Sequence, residues 1–157
     1  MALLGNIIWF FLGGWALFLL YALGAVIFFP MFIPLFRLAL FALWPFGRDV
    51  VTRAELDRFR QARGLVDDSS MVDATLKNVS AVLNLLWMLT FGWVLALAHL
   101  LASFFNLCLF FLIVTIPNIG GHWKLIRVAF LPFNKVIVPS KVAQDIREEI
   151  ARSRLGI

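Results

Sequence analysis

The stretch NVSAVLNLLWMLTFGWVLALAHLLASFFNLCLFFLIVTIPNIGGHW, residues 78–123, contains no Asp, Glu, Lys or Arg. At about 1.5 Å per residue it would make roughly 69 Å of helix, and one crossing of roughly 30 Å of hydrocarbon takes about 20 apolar residues. Two crossings fit it. The run from Leu3 to Phe46, interrupted by Arg37 alone, would make roughly 66 Å and fits two more. The sequence therefore predicts an all-α membrane protein built as two tandem helical hairpins. Its four membrane segments fall near 5–24, 26–46, 80–102 and 104–131. The organisation follows as residues 1–47, a first hairpin repeat; 48–79, a cytoplasmic loop with a short helix; 80–135, a second hairpin repeat; and 136–157, a cytoplasmic tail helix.

Composition agrees with the hydropathy. Of 157 residues, 62% are apolar and only 15% charged, too little polar surface to coat a soluble globule. A disordered chain and a disulfide scaffold are both excluded, since Cys108 is the only cysteine. Thirteen of the fourteen Lys and Arg lie beyond residue 47, so the basic pI describes two polar patches flanking lipid. No aromatic–basic interleaving points to a nucleic-acid partner. Arg48, Arg53, Arg58, Arg60, Arg63 and Lys77 crowd the middle loop, and Lys135, Lys141, Arg147, Arg152 and Arg154 the tail. Basic loops stay cytoplasmic. The expected location is the bacterial inner membrane, multi-pass, with N-terminus, loop and tail inside.

The two halves repeat. Asn6-Ile-Ile-Trp9 with Gly14-Trp15 matches Asn84-Leu-Leu-Trp87 with Gly92-Trp93 at an offset of 78. Pro30 and Leu43-Trp-Pro45-Phe46-Gly-Arg48 match Pro117 and Phe130-Leu-Pro132-Phe133-Asn-Lys135 at 87. The second copy thus holds nine extra residues near 104–116. Hairpin units make parallel copies, unlike the inverted repeats of many transporters.

These residues resemble the bacterial YccF-like inner-membrane proteins. The likeness rests on Val82-Leu-Asn84-Leu-Leu-Trp87, Phe91-Gly-Trp93 with His99, Ile116-Pro117, and the Pro-Phe-Gly-Arg-Asp-Val-Val run at 45–51. It covers most of residues 1–140, duplicated unit included. The second copy closes with Pro132-Phe-Asn-Lys135 where the first has Pro-Phe-Gly-Arg. The resemblance implies a small inner-membrane protein without an agreed activity.

Two residue sets are candidates for function. On a helical wheel Asn84, Gly92, Ala96, His99, Ala102, Ser103 and Asn106 share one arc, and the first copy aligns Asn6, Gly14, Tyr21, Gly24 and Ala25 with it. Such a stripe either packs helices closely or lines a wetted path in an oligomer. His99 is read as a neutral packed histidine or a pH gate. A metal site is not expected, because His122 lies far along the chain. The second set is Arg37, Lys124 and Arg127, cations at matched depth in the two copies, contacting anions or headgroups. A central cation costs about 2.5–3.5 kcal/mol on the insertion scale. Either segments 35–46 and 121–133 bend after Pro34 and Gly120-Gly121 to lie at the interface, or the second helices are broken around a polar cavity. A bend would leave only Leu3 to Ile33, roughly 46 Å, for the first hairpin, which would then be re-entrant or a single tilted pass.

No carboxylate lies inside any membrane segment, and no phosphate loop, zinc cluster or nucleophile elbow occurs. Neither an enzyme nor a cofactor is expected. Asp67, Asp68 and Asp73 read as solvated turn residues. Thr52-Arg-Ala-Glu55 is a capping box starting a helix to about Ala62, with Gly64 as its stop. Ser140 caps a second helix to about Ser153, with Val142, Ile146 and Ile150 as its apolar stripe. The expectation is an oligomeric small-ion channel or permeation protein, with a slight lean to anions from the fixed positive charge. The alternative is a non-transporting protein that binds anionic lipid or scaffolds a membrane complex.

Overall fold

The computed structural model describes residues 2–65 and 70–156, the side chains of residues 70–74 and 76 excepted. Asp67, Asp68 and the Asp73 side chain lie outside the described residues. The chain is mostly helical and divides into two compact units, one of Met1–Phe46 with Val82–Phe133 and one of Gly47–Ala81 with Asn134–Ile157.

The first unit is two hairpins. In the first, α1 (Ala2–Trp9) passes through a π turn (Phe10–Gly14) into α2 (Trp15–Ile27), and α3 (Phe32–Leu43) returns along α2. In the second, the end of α5 (Ser70–Trp87), from Val82 on, passes through a π turn (Met88–Gly92) into α6 (Trp93–Cys108), and α7 (Ile116–Phe130) returns along α6. Two helices, Ala2–Ile27 and Lys77–Cys108, are long and apolar enough to cross a membrane. The return helices are shorter. At about 1.5 Å per residue α3 makes roughly 18 Å.

The expected bend sites are corrected. α3 runs unbroken through Pro34, and α7 runs unbroken through Gly120-Gly121. Pro34 and Pro117 sit in the first turns of their helices, where the missing N–H breaks no intrahelical bond. The chain turns earlier, in short 3₁₀ turns at Phe29–Met31 and Ile113–Thr115. Gly121 lies within this helix, and a Cβ there would come within 2.9 Å of the Trp9 indole. It is a seat for that ring. The kink that does exist lies in the first π turn, where Gly13 has φ 118°, a conformation that L side chains avoid.

Both hairpins are closed by the same device. A helix leaves its last carbonyls without intrahelical partners. The Trp9 indole N–H donates to the Ala42 carbonyl at 2.8 Å, and Trp87 to Ala129 at 2.7 Å. Asn6 then grips the backbone just beyond: its Nδ2 donates to the Phe46 carbonyl at 3.0 Å and its Oδ1 accepts from the Phe46 N–H at 2.9 Å. Asn84 treats Phe133 likewise, at 3.3 and 2.9 Å. Gly14 lies so close to Trp9 that any Cβ there would collide with the indole.

The second unit holds two strands that the all-α expectation lacked. β1 (Arg48–Thr52) pairs antiparallel with β2 (Lys135–Pro139), Val50 opposite Ile137. Each strand follows a left-handed residue, Gly47 at φ 84° and Asn134 at φ 62°. Asparagine tolerates that region better than most residues, so the second closure keeps the geometry of the first. The capping box stands as read: Glu55 N–H donates to Thr52 Oγ1 and Thr52 N–H to Glu55 Oε2, opening α4 (Arg53–Ala62). The cap on α8 (Ser140–Leu155) is corrected, since Pro139 holds the N-cap position and no side chain caps the helix. Ser140 instead donates its backbone N–H to the Gly47 carbonyl at 3.1 Å. Val51, Ala143 and Ile146 form a small core, packed by Leu56, Phe59, Val142 and Ile150.

Candidate functional site

The first unit encloses a chain of polar side chains. Tyr21 on α2 reaches His99 on α6, Oη to Nε2 3.1 Å. His99 meets His122 on α7, Nδ1 to Nδ1 3.1 Å. Asn106 stands 3.5 Å from His122 Nε2 through its Nδ2, and its Oδ1 accepts from Asn118 at 3.3 Å. All five are at most 2% exposed. Trp9 covers the outer face of His122, ring centroids 4.4 Å apart. Thr115, also buried, donates its hydroxyl to the Leu109 carbonyl at 3.0 Å.

Spacing explains why these groups meet. His99, Ser103 and Asn106 recur at helical intervals on α6, and Thr115, at the N-cap of α7, precedes Asn118 and His122 on α7 by three and seven residues. The two faces are zipped together by α6–α7 packing. Buried polar groups must find partners, and these find one another. One does not: Asn118 Oδ1 is buried with no hydrogen-bond partner among the described residues.

Of the predicted stripe, Tyr21, His99 and Asn106 belong to this chain, and Ala96 and Ser103 are buried beside it on α6, each 5% exposed. Asn6, Asn84, Gly14 and Gly92 do not join it. The two asparagines are engaged in the backbone clamps, and the two glycines lie against the indoles of Trp9 and Trp87. His122, set aside in sequence for its distance along the chain, is the direct partner of His99. His122, Asn118 and Thr115 were missed. Their i, i+3, i+7 spacing, from the N-cap of α7 into the helix, was the available signal. Among the described residues no cluster of three or more His, Cys, Asp or Glu suits a metal.

The three cations do not converge. Lys124 turns inward, donating to the Pro45 carbonyl at 3.2 Å with Phe41 beneath it at 5.3 Å. Arg37 and Arg127 are exposed. Apolar side chains surround them in sequence and are exposed too: Ile33 and Leu40 beside Arg37, Trp123 and Leu131 beside Arg127.

Long apolar helices with outward-facing Leu, Phe and Trp, enclosing a buried polar chain, define a helical membrane protein. The inner membrane component domain YccF matches residues 4–48 and 82–135, more than half of the chain. The chain belongs to this family. It is 27% identical over 155 residues to the inner membrane protein YccF of Escherichia coli (strain K12), with 95% of each chain covered, and equally similar to the Shigella flexneri protein of the same name. No solved structure matches.

Proposed function

We propose that this protein is a multi-pass inner-membrane protein, not an enzyme, that lets small ions permeate as a homo-oligomer. The observation supporting it is the buried polar chain from Tyr21 to Asn118. Ionisable groups at membrane depth are costly and are a default mark of ion or proton pathways. A chain this small has little interior, so further copies would complete any wider path. Arg37 and Arg127, exposed among apolar neighbours, would face such a shared space, and their charge favours anions there.

We also propose that the chain is a duplication whose equivalent positions meet about a local pseudo-two-fold within each unit. In a two-fold contact, equivalent positions meet each other. Tyr21 and His99 are equivalent at the offset of 78 and hydrogen-bond each other. Val50 and Ile137 are equivalent at 87 and pair across the strands. At 87, α4 also falls on the start of α8, so the repeat extends past residues 47 and 135.

The second reading, a lipid-binding or scaffolding protein, is favoured by the same exposed Arg37 and Arg127, which could hold headgroup phosphates. Purified protein in vesicles separates the two. Chloride or potassium flux above empty vesicles, altered by Arg37→Gln, supports permeation. No flux, with saturable binding of anionic lipid that Arg37→Gln weakens, supports the second reading.

A further inference from the structure

We infer that the ion passed through the buried chain is the proton, relayed by Tyr21, His99 and His122. This rests on the permeation reading and names the species for which the enclosed chain is built.

The direction of the hydrogen bonds is fixed by one backbone group. The Ala102 carbonyl can only accept, and Asn106 Nδ2 lies 2.8 Å from it. The Asn106 amide therefore presents its NH2 on that side. The same NH2 faces His122 Nε2, so that nitrogen is the bare acceptor. His122 then carries its hydrogen on Nδ1 and donates to His99 Nδ1, and His99 carries its hydrogen on Nε2 and donates to the Tyr21 oxygen. Every donor points the same way, from Asn118 toward Tyr21.

The packing selects the ion. A hydrated ion needs space between these groups, and they are in hydrogen-bond contact and at most 2% exposed. A proton needs none, since it moves by exchanging bonds between groups already about 3 Å apart. No Asp or Glu occurs in residues 1–46 or 82–133. The titratable groups touching the pair are Tyr21 and the pair itself. Lys124, two residues past His122, points to Pro45, and Arg37 and Arg127 are exposed.

The weakest link, 3.5 Å between Asn106 and His122, is the entry. A hydronium ion taking the place of the Asn106 amide gives its proton to His122 Nε2 and leaves as water. His122 releases its Nδ1 proton to His99 Nδ1, and His99 releases its Nε2 proton to the Tyr21 oxygen. Tyr21, 1% exposed in the closed chain, passes its own hydroxyl proton to water that a local opening admits beside it. One proton enters and one leaves, and both rings end in the opposite tautomer. The orphan acceptor Asn118 Oδ1 lies at the entry end and would hold the donating water. Each passage must be followed by tautomer exchange, so flux should be slow and saturating.

The test uses the full-length chain in vesicles of phosphatidylethanolamine and phosphatidylglycerol loaded with pyranine, under a potassium diffusion potential. Wild-type protein should acidify the lumen, and Tyr21→Phe and His122→Gln should each lower the rate at least tenfold. Chloride or potassium flux without proton flux overturns the inference while leaving permeation intact. Proton flux unchanged in both variants also overturns it, and absence of every flux removes the permeation reading itself. Nitrogen-15 NMR of the wild-type histidines in lipid gives a check independent of variant folding. His122 protonated at Nδ1 and His99 at Nε2 supports the relay, whereas both rings in one tautomer overturns it.

Discussion

At the scale of single residues, the two Asn-x-x-Trp sequences show how a recurring pattern can be legible while its purpose is not. Their repetition at an offset of 78 was plain, but the small and polar residues around them suggested either close helix packing or a wetted stripe. The structure assigns them to the orphan backbone of the return helices. Ala129 cannot receive a bond from the Phe133 N–H, because Asn84 Oδ1 has taken it; the Trp87 indole supplies the missing donor. Removing that donor leaves a buried carbonyl unpaired, a cost of about 1–3 kcal/mol. Trp87→Phe should lower the melting temperature in detergent or lipid accordingly, and Trp9→Phe should do so comparably. Thr90→Val, at an exposed hydroxyl bonded to Leu86 and Trp87 carbonyls, should shift stability by no more than about 0.5 kcal/mol. Equal shifts in all three variants would refute the clamp.

At the scale of elements, local signals were read correctly and distant ones were not. The Thr52–Glu55 box acts over three residues, and its helix starts and stops where the sequence placed it. The strands escaped notice because each is five residues long and its partner lies 87 residues away, beyond any periodicity. His99 and His122 were separated for the same reason. The proline segments misled differently: proline forbids a helix interior but suits a first turn, and sequence alone does not say which one it occupies. Thr52→Ala should destabilise the second unit by about 1 kcal/mol, measured as faster amide exchange across α4. Burial pushes the Glu55 carboxyl up, but the Thr52 hydrogen bonds and the nearby Lys135 and Arg147 charges outweigh it and hold it below its ordinary 4.5. A carboxyl lowered by folding stabilises at pH above the unfolded value, and that stabilisation is lost as pH falls through the lower folded value. α4 should therefore weaken below about pH 4.5 in the wild type, and Glu55→Gln should flatten this acid dependence.

At the scale of the whole molecule, antiparallel register and membrane sidedness are the two properties that test the reading of the chain as paired halves. Directly opposed residues in an antiparallel pair have Cα atoms about 4.5–5.5 Å apart, within disulfide range. In a Cys108→Ala background, Val50→Cys with Ile137→Cys should form an intramolecular disulfide, and Val50→Cys with Pro139→Cys should not. Closure of the second pair in preference would mean a slipped register and no equivalent pair at the centre. Sidedness follows from length. Lys77–Cys108 is 32 residues, roughly 48 Å of helix against roughly 30 Å of hydrocarbon. The proposed multi-pass topology holds its basic start inside and so puts its far end outside. Cys108 at that end is exposed and serves as the probe. A membrane-impermeant maleimide should label Cys108 in intact spheroplasts. Ala2→Cys, in a Cys108→Ala background, should be labelled only after permeabilisation, since Ala2 aligns with Ser80 at the offset of 78 and the proposed duplication gives both the same side. Labelling of both from outside would give the first hairpin an N-terminus on the opposite face and make its helices a single tilted pass, which two parallel copies could not accommodate.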